Sequence, residues 1–391
     1  MVGIRAGPEK GKPAFMTLLS QLVDIIIPVY NQPELTYQCL KSINQFVKPA
    51  LHIIVVDNNS DIETRKRITE ASKDTPHKFT IIKNSENLGF SRAVNQGLES
   101  GKGKLVCILN NDTIVHKGWL TEMIRVLETE PDIGLINPEG TRGYKRFSSG
   151  GSFPYIEMGT LSGYCIFGKR FLLEEVEGFD EAYSPFLWED TDLCRKVQKL
   201  GYRCVLVPDA YVDHIRSSSL NRVKQSYRQK VAERNRTYYL SKWGKSLRVI
   251  CFLEGIKSEL ALPYKSLISF FRQMANVGHH IELYISSNLP ADIFFLADMP
   301  FHVNISVKCR RNVFGLSWPV RWIEGRCRGR KDDMLITDSR LLFSALSLMG
   351  TKAAYLLRNE SLVSNNSSFS MNWNDFLSLH QKQGLLNDVI M

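Results

Sequence analysis

Glu189, Asp190 and Asp192 fall within four positions of one another in "FLWEDTDLCRKVQKLGY", around the first turn of a predicted helix. One acid there caps a helix and answers its dipole. Three acids, preceded by apolar residues and Pro185, exceed what a cap needs, and a carboxylate in that setting can act as a general base. A second candidate is Asp112 in "CILNNDTIVHKGWL", where the apolar run Leu105 to Leu109 stops at Asn110, Asn111 and Asp112. A carboxylate ending a strand can ligate a hard divalent cation that also holds phosphate oxygens, with Asn110 or Asn111 as a neutral contact. A turn explains the same three residues equally well, because Asn and Asp cap their own backbone. His214 in "VDHIRSSS" is a lone histidine of a usually structural kind; beside a metal-binding carboxylate it is a candidate ligand. Asp57 in "DNNS" can accept hydrogen bonds from a nucleobase or ribose, or open an Asx turn. "ENLGFSRAVNQG" sets Asn87, Gly89 and Arg92 at a helix start, which suits a diphosphate or a plain cap with a solvated arginine.

The elements that must position these residues alternate from residue 23 to about 210. Short β-branched runs such as "VDIIIPVY", "LHIIVVDNNS", "FTIIKN", "KLVCILNND" and "IGLINP" are separated by helical stretches such as "PELTYQCLKSINQF" and "FSRAVNQGLESG". Continuous apolar runs predict strands covered on both faces, and the alternation predicts a largely parallel sheet. Ligands bind outside the carboxyl ends of such strands. Those ends read "PVYN", "DNNS", "KNSEN" and "NND", all polar and all on one edge. The pattern breaks from about 138 to 189, where "NPEGTRGYKRFSSGGSFPY" reads as a mobile loop. "TDLCRKVQKLGY" then predicts a helix and "RCVLVP" a strand.

The chain has 391 residues, 43% of them hydrophobic and 23% charged, which suits a folded chain of two domains. Residues 1–20 read as a flexible leader without the apolar core of a signal peptide. Residues 21–246 read as the main α/β domain. Residues 247–391 read as a smaller α/β unit opening on "RVICFLEG". The eight cysteines form no C-x-x-C pair, which favours buried reduced thiols in a cytoplasmic protein. No apolar stretch is long enough to span a bilayer. The net charge is +10, and residues 216–249 hold ten Lys and Arg against one Glu. That balance suits an anionic partner. A peripheral contact with an anionic membrane surface is expected of this stretch, and nucleic acid is not.

Taken in order, "IIIPVYNQPELTYQCLKSI", "IIVVDNNSDIET", "NSENLGFSRAVNQGL", "LNNDTIVHKGWL", "LSGYCIFGKR", "EGFDEAYSPFLWEDTDLCRKVQKLGY" and "DHIRSSS" resemble the family 2 inverting glycosyltransferases of the GT-A fold, especially the rhamnosyltransferase-like branch. The resemblance runs from about Val23 to about Lys242. It implies a Rossmann-like mixed sheet flanked by helices. It also implies a divalent metal (Mn²⁺ or Mg²⁺), a UDP- or dTDP-linked sugar donor, and a glycan or lipid-linked glycan acceptor. Pro28 and Tyr30 would shape the nucleotide pocket and Asp57 would contact the base. Asn87, Gly89, Arg92 and Asn111 would line the donor side. Asp112 would be the metal-binding acid and His214 would complete the metal site. Gly163 and Trp188 would face the acceptor, Asp190 would be the base, and Glu189 an acceptor contact. Asn110 stands where the family's D-x-D motif has its first acid. The last unit resembles the N-terminal half of a GT-B glycosyltransferase and is assigned no catalysis. The competing readings are a nucleotidyltransferase and a sugar-nucleotide-binding module without catalysis. The first lacks its glycine-rich basic loop in "PVYNQPEL".

Overall fold

The structure is a computed structural model. It describes residues 23–48, 51–140, 154–215, 223–253, 261–286, 302–310, 333–337, 354–358, 361–364 and 370–372. The expected leader, the loop at 141–153 and residues 216–222 lie outside them. The chain divides into two compact units. One comprises residues 1–155 and 161–236, the other 156–160 and 237–391.

In the first unit, β1 (Val23–Val29), β2 (His52–Asp57), β3 (Lys78–Lys83) and β4 (Leu105–Leu109) are the predicted apolar runs; β1, β2 and β4 are buried as expected, whereas β3 is the edge strand and is only half-buried. They alternate with α1 (Pro33–Phe46), α2 (Ile62–Lys73) and α3 (Phe90–Ser100). The local reasons are legible. Pro33 sits at the start of α1, and Asp61 caps α2 by accepting from the Thr64 N–H at 2.8 Å. β1 pairs in parallel with both β2 and β4, and β2 with β3, so the four carboxyl ends do share one edge. The core lies on this sheet and includes Ile25, Ile27, Ile53, Val55, Cys107 and Trp119, each at most 1% exposed.

The remainder is mixed rather than parallel. The strands follow the order β3-β2-β1-β4-β8-β6-β9-β5. Here β5 is Thr113–Val115, β6 is Ile133–Glu139, β8 is Cys165–Lys169 and β9 is Arg203–His214. β8 runs antiparallel to both β4 and β6, and β5 runs antiparallel to β9. The α/β sheet flanked by helices matches the GT-A architecture that the resemblance implies. The sequence pattern missed β5 and stopped β9 at "RCVLVP"; the strand in fact continues to His214. β5 is three residues long, too short for a periodicity to register. The remaining helices of this unit are α4 (Trp119–Thr129), α5 (Arg170–Glu175), α6 (Glu189–Lys199) and α7 (Gln225–Trp243), the last running past its boundary.

The second unit contains β7 (Ile156–Met158) and a separate sheet. In it β10 (Arg248–Leu253) lies between β11 (His280–Ser286) and β13 (Asp333–Thr337), parallel to both, with β12 (Ile305–Arg310) outside β11. α8 (Ala261–Asn276) follows β10 and precedes β11 in the chain. Arg272 forms a fork on the fully buried carboxylate of Glu157, so that charge is paired as burial requires. Cys39, Cys107, Cys165, Cys194, Cys204 and Cys251 are buried free thiols. No helix among the described residues is long and apolar enough to cross a membrane.

Candidate active site

The polar ends of β1, β2 and β4 are tied to one another before any ligand is considered. Asn111, 8% exposed, donates to the Asn31 carbonyl at 3.2 Å and to Thr36 Oγ1 at 2.9 Å. Its amide is spent on bracing the turn after β1. Asp57 is 1% exposed; it accepts from the Ser60 N–H at 2.8 Å and from Arg65 Nε at 2.9 Å. A base would therefore compete with Arg65 for this carboxylate. Pro28 is half-buried within β1, and Tyr30, just beyond it, is 43% exposed.

Asn58 was not singled out in the sequence, yet it organises the donor side. This buried side chain donates to Asn87 Oδ1 at 2.8 Å and the Gly89 carbonyl at 3.1 Å. It accepts from Asn84 Nδ2 and the Leu88 N–H, both at 3.0 Å. Its neighbour Asp57 drew attention because a carboxylate suggests chemistry, whereas an amide that fixes a loop leaves no such signal. Gly89 has φ +85°, and a Cβ there would collide with Ser184 Oγ. Only glycine adopts that backbone cheaply, and only glycine leaves room for the facing loop. Arg92 is not gathered with the other donor-side residues. It pairs with Glu181 at 2.9 Å, both side chains being well exposed.

Asp112 and His214 are brought together by the β5–β9 pairing, which sets Thr113 opposite His214. Asp112 Oδ1 lies 3.3 Å from His214 Nε2. That oxygen is buried and makes no hydrogen bond among the described residues. An anionic oxygen held in this state beside an imidazole fits a hard cation with a nitrogen co-ligand. No group of three or more His, Cys, Asp or Glu suited to a metal occurs among the described residues. Among the described residues, Asp112 and His214 are the two that would hold such a cation.

Tyr164 joins this pair to the acid cluster. β8 runs beside β4, so the Asn110 N–H donates to the Tyr164 carbonyl at 2.9 Å. The Tyr164 ring stacks on His214, 4.9 Å between centroids at 11°. Next to it, the Gly163 N–H donates to Asp190 Oδ2 at 2.9 Å. A Cβ on Gly163 would stand 3.4 Å from that same oxygen, so the backbone approaches closely. Glu189 and Asp190 open α6, and Trp188 is its N-cap with φ 77°.

The two acids differ in environment. Asp190 accepts from the Gly163 and Thr191 N–H groups and from Thr191 Oγ1. Glu189 is buried, and its Oε2 has no hydrogen-bond partner among the described residues. Burial, and then the charge of Asp190, push the Glu189 carboxyl up to about 8. Burial also raises Asp190, but the N–H groups of Gly163 and Thr191 oppose it. The pair titrates as a unit, and its first proton leaves from the carboxyl whose anion is hydrogen-bonded. Of the two, Asp190 is the carboxyl whose anion is hydrogen-bonded, and Glu189 is the one that keeps its proton to the higher pH.

With that arrangement in place, similarity to known proteins decides the family. Residues 24–176 match the family described as "Glycosyl transferase family 2". This stretch of the chain belongs to glycosyl transferase family 2. Among similar proteins, Glycosyltransferase AglE of Haloferax volcanii is 32% identical over 142 residues, 34% of this chain and 46% of that protein. Amylovoran biosynthesis glycosyltransferase AmsB of Erwinia amylovora is 25% identical over 208 residues, 47% of this chain and 66% of that protein. A solved structure, the mannosyltransferase PcManGT from Pyrobaculum calidifontis in complex with GDP-Man and Mn²⁺, overlays with a TM-score of 0.48 at 20% identity. The overlay covers 57% of this chain and 65% of that one. The chain spans only part of its curated relatives, from 25% of a Sinorhizobium fredii protein to 66% of AmsB. Within the family 2 domain the polar edge of β1, β2 and β4 and the Tyr164 bridge are continuous, while Asp190 and His214 come from residues that follow the matched stretch.

Proposed function

We propose that the protein is an inverting, metal-dependent glycosyltransferase that moves a sugar from a nucleotide-diphosphate donor to a hydroxyl of a glycan or lipid-linked glycan. The observation that carries this reading is the pair of adjacent acids in unlike environments, joined through Gly163 and Tyr164 to Asp112 and His214. Two titratable groups pushed apart by their surroundings mark an acid–base site. Asp190, partly accessible and with its anion hydrogen-bonded by Gly163 and Thr191, takes the proton of the acceptor hydroxyl. The acceptor oxygen forms its bond to the anomeric carbon as the bond to the diphosphate breaks, and the nucleoside diphosphate leaves with the electron pair. Displacement from the opposite face inverts the anomeric centre. Glu189, which keeps its proton to the higher pH, can donate a hydrogen bond to an acceptor. Asn58 holds Asn87 and the start of α3 on the donor side, where N–H groups suit a diphosphate.

Asp112 and His214 would hold a divalent cation, whose Lewis acidity offsets the charge that develops on the leaving diphosphate. Asn110 leaves that site one charge short of D-x-D, and His214 supplies a neutral donor instead. The donor is a UDP- or dTDP-linked hexose or rhamnose. The acceptor is an intermediate of a surface polysaccharide, built at the cytoplasmic face of a membrane that residues 216–249 contact. The second unit carries no catalysis in this reading. The parallel order β12-β11-β10-β13 supports a likeness to the N-terminal half of a GT-B enzyme. The test is a panel of nucleotide sugars scored for Mn²⁺-dependent release of nucleoside diphosphate. Wild type should turn over at least one donor, and Asp190→Asn should lose about 10²–10⁴-fold in rate while still binding the nucleotide. Undiminished turnover by Asp190→Asn removes Asp190 from the base role.

A further inference from the structure

The segment that delivers the two acids, residues 183–188, has little regular structure of its own. Leu187 and Trp188 both hold left-handed backbones, at φ 74° and 77°. Such conformations are strained in non-glycine residues and persist only where surroundings over-determine them. The restraint here comes from α7. Asn235, 1% exposed, donates from Nδ2 to the carbonyls of Tyr183 at 2.7 Å, Phe186 at 2.9 Å and Leu187 at 2.9 Å. Arg234 donates to the Ser184 carbonyl, and its Nε also orients Asn235 by donating to Oδ1 at 2.9 Å. The Pro185 carbonyl accepts from the Phe90 N–H at the start of α3, at 3.1 Å. All five consecutive carbonyls from 183 to 187 are therefore engaged from outside the segment, three of them by the two N–H groups of one amide, one of which two carbonyls share. α7 is otherwise weakly packed: only Val231 and Asn235 on it are buried.

We infer that Asn235 is a positioning residue for the reaction, holding the 183–188 backbone so that Asp190 faces the acceptor oxygen. This deepens the proposed function and rests on it. The other buried side chain on α7, Val231, has no hydrogen-bonding group, and the hydrogen bonds of Asn235 go to carbonyls of the segment rather than to either acid. Its effect reaches Asp190 only through the backbone of Leu187 and Trp188. A two-donor amide suits the task, because a hydroxyl supplies one donor and a carboxylate repels the carbonyls. Gly163, which donates to Asp190 from the turn before β8, fixes the other end of the geometry.

The experiment compares wild type, Asn235→Ser and Asn235→Ala on the donor that the nucleotide-sugar panel identifies. Misplacing a catalytic group by about 1 Å costs on the order of 10²-fold. The expected result is a kcat lower by about 10–100-fold in Asn235→Ala, with a smaller loss in Asn235→Ser, which keeps one donor. The KM for the nucleotide sugar and the calorimetric affinity for nucleoside diphosphate should stay at wild-type values, since the donor side is held by Asn58. Hydrogen exchange should quicken in peptides covering 183–191 and not in those covering β1, β2 and β4. A kcat within about twofold of wild type, or a loss expressed only as donor KM, overturns the inference while the wild-type activity leaves the proposed function standing. Exchange that is unchanged at 183–191 in Asn235→Ala overturns it whether or not a donor has been found. Absence of turnover by wild type on every donor counts against the proposed function, and the exchange readout still decides whether Asn235 holds the segment.

Discussion

Replacing Glu189 with glutamine tests the division between the two acids through stability as well as activity. The Glu189 carboxyl rises from an ordinary 4.5 to about 8, chiefly because burial disfavours its charge and secondarily because Asp190 does. Above about pH 4.5 the unfolded chain has released this proton and the folded chain has not, so folding takes up a proton. The protein is then at its best below the unfolded pKa. Stability falls as pH rises from 4.5 and levels off above about 8. At about 1.4 kcal/mol per pH unit, the full fall is on the order of 5 kcal/mol. Relaxation and water entry reduce that figure as the carboxylate forms. Glutamine keeps the size and a hydrogen-bonding head but cannot ionise, so Glu189→Gln should escape the fall. Urea unfolding of both proteins, at about pH 5, 7 and 9, gives the comparison. The two should be nearly equal at the lowest pH, and the variant should lead by several kcal/mol at the highest. The same variant should retain transfer near neutrality, where Glu189 is already uncharged. A stability difference that does not change with pH, or a wild type that gains on the variant as pH rises, refutes the reasoning.

Removing the Asp112 carboxylate, which has a buried oxygen free of hydrogen bonds among the described residues, tests the cation site. Asp112→Ala should weaken Mn²⁺-dependent nucleoside diphosphate binding by at least about tenfold in calorimetry, and equal affinity with and without the substitution excludes the metal role. Charge reversal at Arg222, Lys224 and Arg228 should reduce co-sedimentation with anionic liposomes, and the loss should shrink as salt is added; unchanged sedimentation separates residues 216–249 from any membrane contact.

Much of the first sheet could be read directly from the chain. Buried β-branched runs alternating with helices admit few arrangements, because right-handed parallel crossovers return each strand to the same direction. The polar ends "DNNS" and "NND" had to share an edge once that was so. The acid cluster at 189–192 was visible because three carboxylates in one helical turn exceed the needs of capping. The resemblance to family 2 glycosyltransferases rested on seven short stretches in order, and the family match confirms it for residues 24–176.

Other features depended on pairings distant in sequence. A sequence pattern carries the period of a strand but not the identity of its neighbour, so the antiparallel insertion of β8 between β4 and β6 was not legible. That insertion is what sets Tyr164 and Gly163 beside Asn110 and Asp190. The β5–β9 ribbon likewise decides that His214 meets Asp112. Arg92 looked like a diphosphate ligand from its place at a helix start, and the fold gives it Glu181. Asn58 and Asn235 carried no signal at all, since an amide is common in turns and on helix surfaces. The chain's own periodicity determined the parallel part of the sheet, and its acid cluster named the candidate groups. Tertiary structure alone decided which carboxylate keeps its proton, because burial and hydrogen bonds from remote segments set that balance.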